Sequence, residues 1–135
     1  MPAGYSGTPL AKKLTLNDGF VCWFDGMPDS IRKEIEAFGL TLFEVSQPEA
    51  GMNAAHIFVT EHADLEAQLA RLGPLIAKDG QIWVSWPKKG SGQETSLDQA
   101  AVQRIGLAAN LVDIKKCAVD EVWSGLKFVI PKDAR

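Results

Sequence analysis

Apolar positions along this chain follow two periods in turn, unbroken runs and helical spacings, and the alternation lays out the fold. Phe20-Val21-Cys22-Trp23-Phe24 is apolar at every position, as expected of a strand covered on both faces and interior to its sheet. Met27, Ile31, Ile35 and Phe38 then recur at helical spacing, with Pro28 near the start and Gly39 beyond the end. Thr41 to Val45 predicts a short second strand, Ser46 to Asn53 a loop, and His56 to Thr60 a third strand whose two ends carry His56 and His62. Leu65, Leu69, Leu72 and Ile76 form a helical stripe that Gly73-Pro74 should break near Leu72. Thr60 is the expected N-cap.

Asp79-Gly80 turns the chain into a fourth strand, Gln81 to Trp86, with Ile82, Val84 and Trp86 on one face and Trp83 and Ser85 on the other. A lysine and glycine loop follows from Pro87 to Gln93. Ser96-Leu97-Asp98-Gln99 has the form of a capping box opening a helix that ends at Gly106. Leu111 to Val119 and Val122 to Ile130 are strand-like and joined across Asp120-Glu121, a link that suits an antiparallel hairpin and is too short for a helical crossover. A phase slip between Ile114 and Cys117 predicts a bulge. Strands and helices in alternation argue for a mostly parallel sheet covered on both faces, a single α/β domain over residues 1 to 135 with residues 1 to 18 docked on it as an N-terminal segment.

Composition narrows the function classes. The 135 residues are 46% apolar and 23% charged, with a net charge of −3, the balance of an ordinary soluble domain. Lysine pairs occur only at 12–13, 88–89 and 115–116, too scattered for the basic patch that nucleic acid requires. The longest strongly apolar run has five residues, so neither a signal sequence nor a membrane span is expected, and a cytoplasmic location follows.

Candidate chemistry is sparse. The first strand ends in Asp25-Gly26-Met27-Pro28, where a nucleotide-binding α/β protein places a glycine-rich turn, and Asp25 would repel an anion there. Glu44 lies 19 residues after Asp25, at the end of the second strand, where it reads as a solvated carboxylate or as a ribose ligand. Glu61-His62 follows the third strand and offers an acid and base pair or simply a first helical turn. Trp86, Lys88 and Lys89 stand in or beside a flexible loop that suits an anionic ligand or only solvent. Tyr5, Ser6 and Thr8, before Pro9, fit a ligand-binding segment and a clamp over the sheet edge equally well. Ser124 has neither acid nor base beside it and reads as structural. No catalytic set, metal site or cofactor is expected.

A mostly parallel sheet ending in an antiparallel hairpin is the plan of class I methyltransferases, and Asp79 to Ser85 resembles one of their strands. The resemblance implies a Rossmann-like three-layer sandwich trimmed by about one βα unit. Ala3 to Leu14, Ile82 to Lys88 and Trp123 to Val129 more closely resemble a bacterial family of uncharacterised proteins, domain of unknown function family 3052, over nearly the whole chain. Three functions stay open: a non-enzymatic module binding an unidentified protein or small molecule, which we favour; a small-molecule enzyme, such as an S-adenosylmethionine-dependent methyltransferase with an atypical donor site; and an assembly protein acting through oligomer contacts. Cys22 and Cys117 both read as buried, reduced core residues. Both are therefore expected to react slowly with Ellman's reagent in the native protein and rapidly in denaturant, and fast native labelling of either would show that its strand is misplaced.

Overall fold

A computed structural model describes residues 7–135. Six strands form one sheet, β1 (Val21–Asp25), β2 (Phe43–Glu44), β3 (Ala54–Phe58), β4 (Gln81–Pro87), β5 (Val112–Ala118) and β6 (Trp123–Val129), in the spatial order β2-β1-β3-β4-β6-β5. The first four run parallel, while β6 inserts antiparallel between β4 and β5. The expected interior strand and terminal hairpin are both present.

Helices cover the two faces in pairs. Leu10 and Leu14, in or just after α1 (Leu10–Lys13), share one core with Ile31 and Ile35 of α2 (Asp29–Ala37), against Cys22, Phe58, Trp83 and Trp123. On the opposite face, Leu65, Leu69 and Leu72 of α3 (His62–Leu72) and Val102 and Ile105 of α4 (Gln99–Ala108) pack on Ile57, Ile82, Val84 and Phe128. β4 divides its side chains as its alternation predicts, with Ile82, Val84 and Trp86 in the α3/α4 core and Trp83 in the other. Gly106 lies inside α4 because the helix rests directly on β6 there: a Cβ at this position would stand 2.1 Å from the Phe128 ring.

Several boundaries differ from the sequence reading. α4 is capped by Asp98, whose carboxylate accepts from the Ala101 amide at 2.8 Å, and it runs through Gly106 to Ala108. β2 shrinks to two residues because Thr41 is held outside the strand, its amide on Asp18 and its carbonyl on the Gly19 amide. The bulge falls at Asp113/Lys115 and leaves Ile114 exposed. Cys22 is fully buried, and burial, reinforced by Glu44, pushes its thiol up to about 12. Cys117 is only half-buried, on the outer strand; burial raises its thiol pKa while Lys13 and Lys115 oppose the rise.

The larger correction concerns His56. β3 begins at Ala54, two residues earlier than the pattern suggests, so His56 lies in mid-strand rather than at an end. It is 2% exposed, its Nε2 lies 2.7 Å from Ser85 Oγ, and its ring stacks on Phe58 with centroids 4.5 Å apart. Burial lowers its pKa to about 3, so the imidazole is neutral in the fold. A folded pKa below the unfolded value of about 6.5 makes this contribution fully present above pH 6.5 and progressively lost as pH falls toward 3. Denaturant titrations should show stability falling across that window with a His56 share of up to about 1.4 kcal/mol per pH unit. His56→Asn should be less stable at pH 7 yet flatter by that share; an unchanged pH slope would remove His56 as the titrating group.

Candidate functional site

Open α/β sheets bind ligands beyond the carboxyl ends of their strands, and most candidate residues lie along that edge. β1 ends at Asp25, and the chain turns at Gly26 with φ +70°, a conformation that glycine adopts without steric cost. The Asp25 carboxylate accepts a 2.7 Å hydrogen bond from Gln68 Nε2 of α3. Pro28 occupies the N-cap of α2 without a side-chain cap, and Asp29 puts a carboxylate in the first turn. The positive end of that helix dipole is thus already complemented.

Glu44 closes β2, where the sequence places it, and its carboxylate is already paired. Arg32 of α2 grips both its oxygens, the second from Nη2 at 3.0 Å, and lies over the Phe24 ring. The hydrogen bond to Glu44 is the first cause raising the Arg32 pKa. Asp25 alternates with Trp23 toward α3, whereas Glu44 pairs in register with Cys22 toward α2. The sheet therefore separates the two carboxylates, and they do not converge on one ligand.

Glu61 and His62 open α3, with Glu61 as the N-cap in place of Thr60. The cap that Glu61 does not provide comes from another loop. Ser96 Oγ accepts from the His62 amide at 3.0 Å and lies within hydrogen-bond distance, 2.9 Å, of His62 Nδ1. The Thr60 carbonyl accepts from Thr95 Oγ1 and the Ser96 amide instead. Ser96 thus terminates α3 rather than opening α4. A hydroxyl beside an imidazole is the start of a nucleophile and base pair, but among the described residues no hydrogen bond holds the imidazole from its other side.

The remaining candidates scatter. Trp86 is 4% exposed and belongs to the core under the edge, not to the loop. The Lys88 amide donates to the Val122 carbonyl at 2.7 Å, tying the loop to the hairpin, and Lys89 is exposed. Thr8 is exposed, and Pro9 rather than Thr8 occupies the N-cap of α1. Tyr5 and Ser6 lie outside the described residues. Arg32 and Gln68, which hold Glu44 and Asp25, have no signal of that role in the sequence, and Ser96, which holds His62, reads there only as the cap of its own helix; i, i+4 or capping patterns cannot show partners that sit on other elements. Among the described residues no group of three His, Cys, Asp or Glu side chains could hold a metal ion, and no helix is long and apolar enough to cross a membrane.

Solved structures that share this fold include methyltransferases. A SAM dependent methyltransferase from Aquifex aeolicus superposes with a TM-score of 0.64 at 11% identity, over 90% of this chain and 88% of that one. Magnesium protoporphyrin IX methyltransferase from Synechocystis PCC 6803 gives 0.56 at 11% identity, over 90% and 80%. The 1,6-didemethyltoxoflavin-N1-methyltransferase of Burkholderia thailandensis gives 0.57 at 14% identity, over 88% and 73%. Identities this low establish the fold alone. No curated protein matches the sequence significantly. A family model described as "Protein of unknown function (DUF3052)" matches residues 11–132, and the chain belongs to that family.

Proposed function

We propose that this protein is a non-enzymatic binding module that uses a methyltransferase-like sheet for protein interaction rather than for methyl transfer. The observation that carries this reading is that the polar groups a methyl donor would need at the carboxyl edge are already committed inside the chain. Asp25 is bonded to Gln68, Glu44 to Arg32, and the α2 N-terminus starts with Pro28 and Asp29 instead of free amides beside glycines. A donor carboxylate approaching α2 would meet like charge. A donor ribose seeking Glu44 would have to displace a two-pronged guanidinium contact. The enzyme alternative rests on fold likeness, which does not carry an activity.

Titration calorimetry and thermal melts with S-adenosylmethionine and S-adenosylhomocysteine test this directly. A ligand held at a hundred times its Kd would add about 2.7 kcal/mol of stability, several degrees of Tm for a chain of this size. We expect neither heat nor a shift at millimolar ligand. A low-micromolar Kd that disappears in Glu44→Ala would replace the binding-module reading with the enzyme reading.

A further inference from the structure

We propose that the outer edge of β2 is a docking edge for an extended segment of a partner protein with alternating basic and apolar residues, which adds to the sheet as a seventh strand. The proposal rests on the reading of the chain as a protein-interaction module and names the surface and the partner.

The edge is open in three ways. First, the backbone: Phe43 and Val45 donate inward to the Phe20 and Cys22 carbonyls, each at 2.8 Å, so alternation turns the amides and carbonyls of Leu42 and Glu44 outward. Parallel strands are ordinarily joined by a crossover of a dozen or more residues, usually through a helix. Here residues 45–53 connect β2 to β3 without one, and no described element lies outside β2. Natural edge strands are blunted by very short length, by charged side chains, lysine above all, by proline or by a bulge. β2 is two residues long and carries Glu44, but residues 41–46 contain no lysine or proline, and they expose Phe43 at 57%.

Second, both faces beside this edge offer contacts. On the α2 face a cavity of about 170 Å³ is lined by Phe24, Ile35, Leu40 and Leu42 together with Arg32, Glu36 and Glu44, apolar wall beside charged groups. On the other face Phe43 stands beside its register partner Val21. A strand laid along β2 would send alternate side chains to these two surfaces.

Third, the charge selects the partner. Arg32 is surrounded by Glu44, Glu36 and Asp29, and Glu36 also lines the cavity, so the α2 face carries a net negative charge. A lysine or arginine of the partner can lay its stem across the apolar wall and bring its head to Glu36 and Glu44, while the intervening apolar residues cover Phe43. The Arg32–Glu44 pair is about one-third exposed on each side, so a second cation can approach Glu44 from solvent beside Arg32 without displacing it. A second copy fits poorly, because it would bring an identical set of carboxylates against this one.

Fluorescence anisotropy of the full chain with labelled Lys-Val-Lys-Val-Lys-Val and Glu-Val-Glu-Val-Glu-Val, joined to amide exchange by NMR, tests the proposal. The lysine peptide should bind at least about tenfold more tightly than the glutamate peptide, weaken with salt, and slow exchange at Leu42 and Glu44. Phe43→Lys, at an exposed position, should abolish binding while leaving Tm unchanged, and Glu36→Lys should weaken it. Equal binding of the two peptides, no binding of either, or binding that survives Phe43→Lys would overturn the docking edge. A dimer in sedimentation that Phe43→Lys dissolves would assign the edge to a second copy and overturn it too, leaving the binding-module reading in place. Donor binding in calorimetry strikes only the latter reading.

Discussion

The position of the N-terminal segment depends on one buried donor. Trp83 lies on β4 in the middle of the sheet, 1% exposed, and its indole N–H must find an acceptor where the strand carbonyls are engaged in ladders. It finds the Leu14 carbonyl at the end of α1, 2.8 Å away, and Gln81 Nε2 donates to the same oxygen at 2.8 Å. Thr15 Oγ1 stands 2.7 Å from Gln81 Oε1 and completes the knot. An orphan helix-end carbonyl and a buried indole thus satisfy each other. The knot holds Thr15 at φ +54°, an uncommon conformation for a β-branched residue, and so stores strain that the buried bonds must outweigh.

That knot also explains why a helix of four residues exists. α1 is far too short to be stable alone, yet Leu10, Leu14 and Leu16 are buried and Lys13 Nζ donates to the Ala118 carbonyl on the far side of the sheet. With α1 pinned there, Trp83 lies flat beneath it and β6 must pass close by. A Cβ at Gly125 would be 3.2 Å from the Trp83 ring and 3.1 Å from Val119, so glycine fits where a larger residue would force the hairpin outward.

The legible parts of the sequence were those whose signal is periodic. The Ile31/Ile35 and Leu65/Leu69/Leu72 stripes, the two-sided split of β4, and the hairpin all follow from spacing, because burial of one face sets the period directly. The misreadings occur where a distant partner decides. Ala54 and Ala55 lack strand propensity, but pairing with β1 on one side and β4 on the other makes them strand, and this puts His56 in the core. The capping box places the N-cap of α4 at Ser96, but α3 draws Ser96 to the His62 amide and Asp98 caps α4 instead. Of the candidate site, the positions of Asp25, Glu44 and Glu61-His62 at the carboxyl edge could be read. Their occupation by Gln68, Arg32 and Ser96 could not, since each contact spans at least 12 residues of sequence.

This internal pairing changes where binding energy is available. A ligand at the carboxyl edge must break a bond before it makes one: a carboxylate already satisfied offers only the difference between two partners. Asp25 would have to give up Gln68, and Glu44 would have to give up Arg32. At the outer edge of β2 the balance is different. The amides and carbonyls of Leu42 and Glu44 point away from β1, and Phe43 keeps more than half its surface in water, so backbone pairing and cover of Phe43 break no internal bond, and only a charge contact with Glu44 is shared with Arg32. Apolar burial of about 25 cal/mol per Å² then favours association instead of only replacing what the fold had already gained. Under the proposed reading, a sheet that satisfies its carboxyl edge internally and leaves a lateral edge unpaired offers its binding energy at the strand side instead of at the strand ends.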